Sequence, residues 1–342
     1  MSGSGAQMYR EIREAPEAVR RQEQSLARPV AELAARLKRR PPLFAVTCAR
    51  GSSAHAAAFG KHLLERHLGI AVAPAAPNIA SVYHRELRLA DQLFLAISQS
   101  GRSDDLIEMT AAAKNAGALT AAIVNDTASP LAAQCDFVLP MSAGPELSVA
   151  ATKTFVATLA ALLRLTAAWT EDSNLQAALE RLPGRLAAAT DLDWSGAVHS
   201  LAGASSLVTI GRGPTLAIAR EAALKLKETC NMHAEAFSGA EFLHGPVALV
   251  SSRYPILMFM PADEAAGGMH RLAADLRNKG AALFTAGGAA AGGSLPSLAP
   301  DQPDAGAICL IQTFYVMAVR LAGELGIDAG QPRHLHKVTR TR

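Results

Sequence analysis

Cysteine is scarce in this chain: four residues in 342, Cys48, Cys135, Cys230 and Cys309, about 80 to 95 positions apart. No CxxC pair occurs, which excludes a zinc ribbon, a redox dithiol and a disulfide-built miniprotein. Sparse, unpaired cysteine fits a reducing cytoplasm. Aromatic residues are only 5% of the chain, which argues against an aromatic-rich β-sandwich and, with abundant alanine, for helices packed closely on a sheet. Charge of one sign is lacking too: 33 Lys and Arg against 30 Asp and Glu leave +3. The longest basic run is Lys38-Arg39-Arg40, so nucleic acid is not an expected partner. No apolar stretch reaches the roughly 18 residues that cross a bilayer. The start, Met1-Ser-Gly-Ser-Gly-Ala, has neither the basic residues nor the apolar core of a secretion signal. A soluble, cytoplasmic protein with no membrane partner is expected.

Half of the residues are hydrophobic, an ordinary globular share, and the length suits two domains at about 150 residues each. Residues 8 to 39 read as helical, acidic early and basic late as the helix dipole favours, with Pro16 and Pro29 breaking the helix into pieces. Apolar runs then alternate with helical patterns. Strands are expected over 42–47, 92–97, 119–124 and 137–139, with helices over 53–67, 103–116 and 149–170. Continuous apolar strands separated by helices mean a parallel sheet covered on both faces. The second half repeats the first: Phe44–Gly51 matches Leu207–Gly213 at an offset of 162, and Asn115-Ala-Gly matches Asn278-Lys-Gly at 163. A duplicated α/β unit follows, with its seam in the polar, proline-containing stretch 171–196. The Gly/Ala/Pro-rich stretch 286–306 reads as a surface loop or a degenerate strand–helix segment.

The segment Ser98-Gln99-Ser100-Gly101-Arg102-Ser103 follows a buried strand and opens a helix. Ligands bind at such carboxyl ends of parallel strands. Hydroxyl and amide donors, a glycine allowing close backbone approach and the free N–H groups of a helix start suit a phosphate monoester; a serine-capped helix start is the plainer alternative. The duplicate carries Met260-Pro-Ala-Asp-Glu264 at the equivalent place, an acidic turn that repels phosphate, so one phosphate site is expected, in the first half. Ser53, after the first strand, could join it. Farther on, Lys225 and Glu228 share a helix face, and His244 precedes a Gly-Pro turn where an imidazole can be presented to a ligand. His233-Ala-Glu235 has the HxE spacing of zinc deaminases, but no PCxxC follows. No metal or cofactor is expected.

Taken together and in order, Ser98–Gly101, Val149-Ala-Ala-Thr-Lys153, Gly211-Arg-Gly213, Ala223-Leu-Lys-Leu-Lys-Glu228, His233-Ala-Glu-Ala236, Leu243-His-Gly-Pro246 and Gln331–Lys337 resemble the sugar isomerase (SIS) half of glucosamine-6-phosphate synthase. Met8–Pro16 looks like the opening of that half, so the resemblance spans roughly residues 8 to 340. It implies two tandem SIS domains, each a flavodoxin-like parallel sheet in a three-layer α/β/α arrangement. The implied boundaries are 40–175 and 196–330, after a helical segment 1–39 and before a tail 331–342 that reaches the active site. It further implies that Ser98, Gln99, Ser100 and Ser103, with Ser53 nearby, hold the phosphate, and that Val149 lines the sugar. Glu228 would move a proton between C1 and C2, with Lys225 as its neighbour. His244, donated by the partner of a homodimer, would serve ring opening, and Lys337 would meet the carbonyl end. Two positions depart from the family: Ser103 stands where threonine is usual and keeps the hydroxyl, and Ala151 stands where serine is frequent and loses one.

The synthase also needs an N-terminal glutaminase domain, whereas about 40 residues precede the first strand here. The expectation is therefore a stand-alone SIS-type glucosamine-6-phosphate deaminase, releasing fructose 6-phosphate and ammonia. Alternatives within enzymes are a galactosamine 6-phosphate deaminase, a deglycase of fructosamine 6-phosphates and a plain aldose–ketose isomerase. A sugar-phosphate sensor without catalysis is the alternative outside them. It would need an output element, and residues 1–40 show neither a helix-turn-helix nor a basic arm.

Overall fold

The protein was studied as a computed structural model, which describes residues 4–288 and 294–337. The first half runs α1 (Ser4–Arg39), β1 (Phe44–Ala49), α2 (Gly51–Leu68), β2 (Ala71–Pro74), α3 (Asn78–Ser81) and β3 (Leu93–Ser98). It continues α4 (Asp104–Asn115), β4 (Leu119–Val124), α5 (Pro130–Gln134), β5 (Phe137–Pro140), α6 (Lys153–Thr170) and α7 (Ser173–Thr190). The second half runs α8 (Ser195–Ala202), β6 (Ser206–Gly211), α9 (Pro214–Cys230), β7 (His233–Ser238), α10 (Gly239–Phe242) and β8 (Pro255–Phe259). It ends with α11 (Ala266–Asn278), β9 (Ala282–Ala286), the two-residue β10 (Ser294–Leu295) and α12 (Pro303–Glu324).

All strand pairs are parallel, in the orders β2-β1-β3-β4-β5 and β10-β9-β8-β6-β7. Counted from each sheet's own first strand, both orders are 2-1-3-4-5, the flavodoxin-like arrangement. Its reversal of strand order leaves a crevice at the carboxyl ends of the first and third strands. The duplication holds throughout, since β1 and β6 begin 162 residues apart, and so do β2 and β7. Neither β2 nor β7 stands out in the sequence. They are edge strands, mostly uncovered, so they lack the continuous apolar run that double-sided burial imposes on β3.

Two compact units result. One comprises residues 17–146, 153–179 and the tail from His336; the other comprises the chain up to Pro16, residues 147–152 and residues 180–335. In the first, Val46, Phe94, Ala96, Ala122 and Val124 of the sheet pack on Leu106, Met109 and Ala113 of α4. In the second, Val208, Ile210, Ile256 and Met258 pack on Met269, Leu272 and Leu276 of α11. There Trp194, Phe259, Phe314 and Tyr315 form a chain of ring contacts at 6.5, 6.0 and 6.3 Å. The Trp194 indole N–H donates to the Pro296 carbonyl at 2.7 Å.

Two sequence expectations are corrected, at α1 and at α12. Helix α1 is continuous through Pro16 and Pro29. Proline inside a helix costs about 3 kcal/mol, but Met8, Ile12, Ala15, Val19, Leu26, Val30, Leu33 and Leu37 form one fully or nearly fully buried stripe at helical spacing. That burial outweighs two lost hydrogen bonds. The polar stretch 171–196 contains the whole of α7, Pro183 included. Helix α12 does have the length and apolarity to cross a bilayer, but most of it is buried within the protein, which accounts for its composition. Of the stretch 286–306, residues 289–293 lie outside the described residues; β10 and the start of α12 occupy part of the rest.

Candidate active site

The crevice of the first sheet lies at the ends of β1 and β3, the strands that lead into Ser53 and into the Ser98–Ser103 turn. Strand β3 ends on Ser98, whose buried Oγ accepts the Gly101 N–H at 3.1 Å and folds the turn back on itself. Ser100 Oγ accepts the Arg102 N–H at 3.3 Å, and the Gln99 carbonyl accepts the Asn125 N–H at 3.1 Å. Gly101 sits at φ +62°, and a Cβ there would come within 2.1 Å of Ser129 Oγ, so only glycine permits the turn. Ser103 is the N-cap residue of α4, yet its side chain makes no cap hydrogen bond. The plain capping explanation for this serine therefore fails, and its hydroxyl remains available beside the helix start, where anions are favoured. Ser53 lies in the first turn of α2, directly after β1.

One charge would spoil such a site. Asp105, in the first turn of α4, is almost fully buried, but Arg50 at the end of β1 donates to its Oδ2 from Nε at 3.0 Å and Nη2 at 2.7 Å. The guanidinium cancels a carboxylate that would otherwise oppose a phosphate. Sequence reasoning missed this pair because its members are 55 positions apart.

The equivalent ends of the second sheet are bridged by a side chain. Thr215 Oγ1 donates to the Phe259 carbonyl at 2.7 Å and accepts the Arg212 N–H at 3.0 Å, joining the ends of β6 and β8. A Cβ on Gly211 would lie 2.2 Å from the Thr215 carbonyl oxygen. The Asp263 carboxylate in the following turn accepts the Ala265 N–H at 3.0 Å.

Chemistry in the second unit lies instead along α9. Glu221, Lys225 and Glu228, spaced four and three, share one face. Lys225 is fully buried; its Nζ donates to Glu228 Oε2 and lies 3.4 Å from Glu221 Oε1. Burial by itself pulls the Lys225 ammonium down, but Glu221 and Glu228 outweigh it, and the net shift is upward. The Tyr315 hydroxyl of α12 donates to the same Glu221 oxygen at 3.1 Å. Glu228 is the one member that reaches solvent, its side chain 20% exposed. The pair is thus no ordinary surface ion pair. Glu221 and Tyr315 were not singled out from the sequence; the i, i+4 spacing to Lys225 signals the first, while nothing local signals the second.

The remaining expected residues lie on other elements. His244 is exposed in the turn after α10, its backbone N–H bonded to the Glu241 carbonyl at 2.9 Å. Val149 is half-buried, in the 147–152 segment ahead of α6 and outside the helix expected over 149–170. Lys337 Nζ lies 3.6 Å from Oε2 of buried Glu146, which accepts the Thr154 N–H at 3.2 Å and hydroxyl at 2.5 Å. Among the described residues no group of three or more His, Cys, Asp or Glu side chains could hold a metal ion. Burial, the leading cause in each case, pushes the Cys48 thiol up to about 12 and those of Cys135, Cys230 and Cys309 up to about 11.

The SIS domain family matches residues 45–168 and 200–285. The chain belongs to that family. It is 32% identical over 309 residues to a glutamine–fructose-6-phosphate aminotransferase of Brucella abortus, covering 84% of this chain and 50% of that protein. The chain spans a third to a half of the length of the curated relatives it matches. A solved structure from Silicibacter pomeroyi, assigned as a phosphosugar isomerase, superposes with a TM-score of 0.91 at 45% identity, covering 94% of this chain and 99% of that one. The C-terminal domain of glucosamine-fructose-6-phosphate aminotransferase from Francisella tularensis superposes with a TM-score of 0.83 at 26% identity, covering 95% and 98%. The SIS chain thus carries the serine-rich turn in its first sheet and the buried Glu–Lys–Glu face in its second unit.

Proposed function

We propose that this protein is a phosphosugar-converting enzyme, and specifically a glucosamine-6-phosphate deaminase yielding fructose 6-phosphate and ammonia. The observation that carries this reading is the Lys225 cluster. A fully buried ammonium holds a partly exposed carboxylate in one place, which is what a general base with a single assigned proton requires. Similarity to phosphosugar isomerases and to the SIS domain of the aminotransferases supports the substrate class.

In this mechanism the hydroxyls of Ser98, Ser100, Ser103 and Ser53, with Gln99, hold the phosphate, and Val149 lines the sugar. His244, contributed by the partner in a homodimer, assists ring opening. The open aldehyde acidifies the C2 proton. Glu228 removes it and returns it to C1, leaving an imine at C2. Water adds to that imine and ammonia departs, giving the ketose, with Lys337 near the carbonyl end.

Incubating the protein with glucosamine 6-phosphate, without glutamine, tests the reading. Stoichiometric ammonia and fructose 6-phosphate are expected. Glu228→Gln should lower kcat by about 10²–10⁴-fold, the range of general-base catalysis, while fructose 6-phosphate still binds. Turnover of glucose 6-phosphate with no ammonia from the aminosugar would instead establish a plain isomerase.

A further inference from the structure

Glu11 is a fully buried carboxylate far in sequence from every residue given a role above. It lies on α1, and its partners are backbone groups of the segment that carries Val149. Glu11 Oε1 accepts the Leu147 N–H at 2.5 Å and the Ser148 N–H at 3.3 Å, and Oε2 lies 3.2 Å from the same Ser148 nitrogen. Gln7 Nε2 donates to Oε1 at 2.9 Å, one helical turn away. The helix backbone beneath is itself anchored, since Gln312 Nε2 of α12 donates to the Ile12 carbonyl at 2.7 Å.

Burying a carboxylate is expensive unless hydrogen bonds replace its water. Here burial pushes the Glu11 carboxyl up, but the Ser148 side chain, Gln7 and the two backbone N–H groups outweigh it, and the net shift is downward. Carboxylate chemistry matters in this position. Two acceptor oxygens can serve two adjacent N–H groups, whereas a glutamine would turn an NH₂ toward one of them. A loop that had only to be tied down could use neutral partners. Fixing consecutive amides with one charge fixes the orientation of the residue that follows, which is Val149.

We propose that Glu11 is a positioning residue for substrate. It clamps the backbone of Leu147 and Ser148 so that the 149–152 stretch is already shaped to receive the sugar portion, as distinct from the phosphate, of the ligand. This rests on the role assigned to Val149 above. The serine-rich turn lies in the other unit, where Ser98 and Ser100 accept the Gly101 and Arg102 N–H groups.

The test uses the full chain and Glu11→Gln. Losing one charge-assisted hydrogen bond is worth about 1.5–3 kcal/mol, so fructose 6-phosphate affinity should fall about tenfold or more. Affinity for inorganic phosphate should stay the same, and the KM for glucosamine 6-phosphate should rise more than kcat falls. Glu11→Asp, which keeps the charge with shorter reach, should recover part of the loss. Equal weakening of phosphate and sugar-phosphate binding would show a merely structural role and overturn the proposal, as would unchanged affinity for both. Should Glu11→Gln fail to fold, amide exchange in the wild-type chain decides: Leu147 and Ser148 must be strongly protected, and free exchange overturns the clamp. Wild-type protein that binds fructose 6-phosphate but releases no ammonia would refute the deaminase reading alone. No fructose 6-phosphate binding at all would refute both.

Discussion

The two sheets share one strand order and opposite uses of it. At the ends of β1 and β3 the first leaves a serine-rich turn in which the Ser103 hydroxyl makes no cap bond, and the buried Asp105 carboxylate beside it is neutralised by Arg50. At the ends of β6 and β8 the second is bridged by Thr215 and followed by an acidic turn. Glu221 and Lys225 stand farther along α9 and are buried. A duplicated fold supplies the same crevice twice. What occupies it depends on two or three side chains, so the copies are free to differ there.

The comparison can be broken most severely in the second unit. Lys225→Met leaves Glu221 buried without its cation, and a loss of about 3–5 kcal/mol of stability is expected, read by urea denaturation. The raised Lys225 value gives the sign for pH. Its contribution is fully present below the ordinary lysine value of 10.5 and is lost only as pH rises through the higher folded value. Wild-type stability at neutral pH should therefore not depend on this group's titration. A Lys225→Met protein as stable as wild type would show the cluster to be incidental.

The paired glycines come next. Gly101→Ala forces a Cβ into Ser129 at positive φ, and Gly211→Ala forces one into the Thr215 backbone. Each should cost about 1–3 kcal/mol, measured as a lower Tm. Only Gly101→Ala should also weaken inhibition by inorganic phosphate; the same weakening from Gly211→Ala would mean that the second crevice binds phosphate after all. The smallest contrast lies in the turns themselves. Ser100→Ala should raise KM about tenfold, one hydrogen bond to a charged group, whereas Asp263→Ser should leave KM unchanged. A KM response at Asp263 would end that contrast between the two turns.

Much of this architecture was legible in the chain. β1, β3 and β4 announce themselves as apolar runs because they are covered on both faces, and the 162-residue repeat placed their counterparts. The serine-rich turn was legible because its groups are contiguous. Edge strands β2 and β7 were not, since half-exposed strands carry no such run. The continuity of α1 was not, because local proline chemistry argues for breaks that only a buried stripe overrides. Arg50 with Asp105, Tyr315 with Glu221, and Glu11 with Leu147 and Ser148 are pairs 55, 94 and about 136 positions apart.

The amino-acid sequence by itself determined the parallel α/β architecture, its duplication, the serine-rich turn and the Lys225–Glu228 face. Each depends on periodicity or on neighbours within a few residues. Tertiary structure alone decided that Thr215 bridges the ends of β6 and β8, that Lys225 is wholly buried between two carboxylates, and that Glu11 holds the segment bearing Val149. Burial and hydrogen-bond partnership are relations between distant parts of the chain, and they arise only when folding brings those parts together.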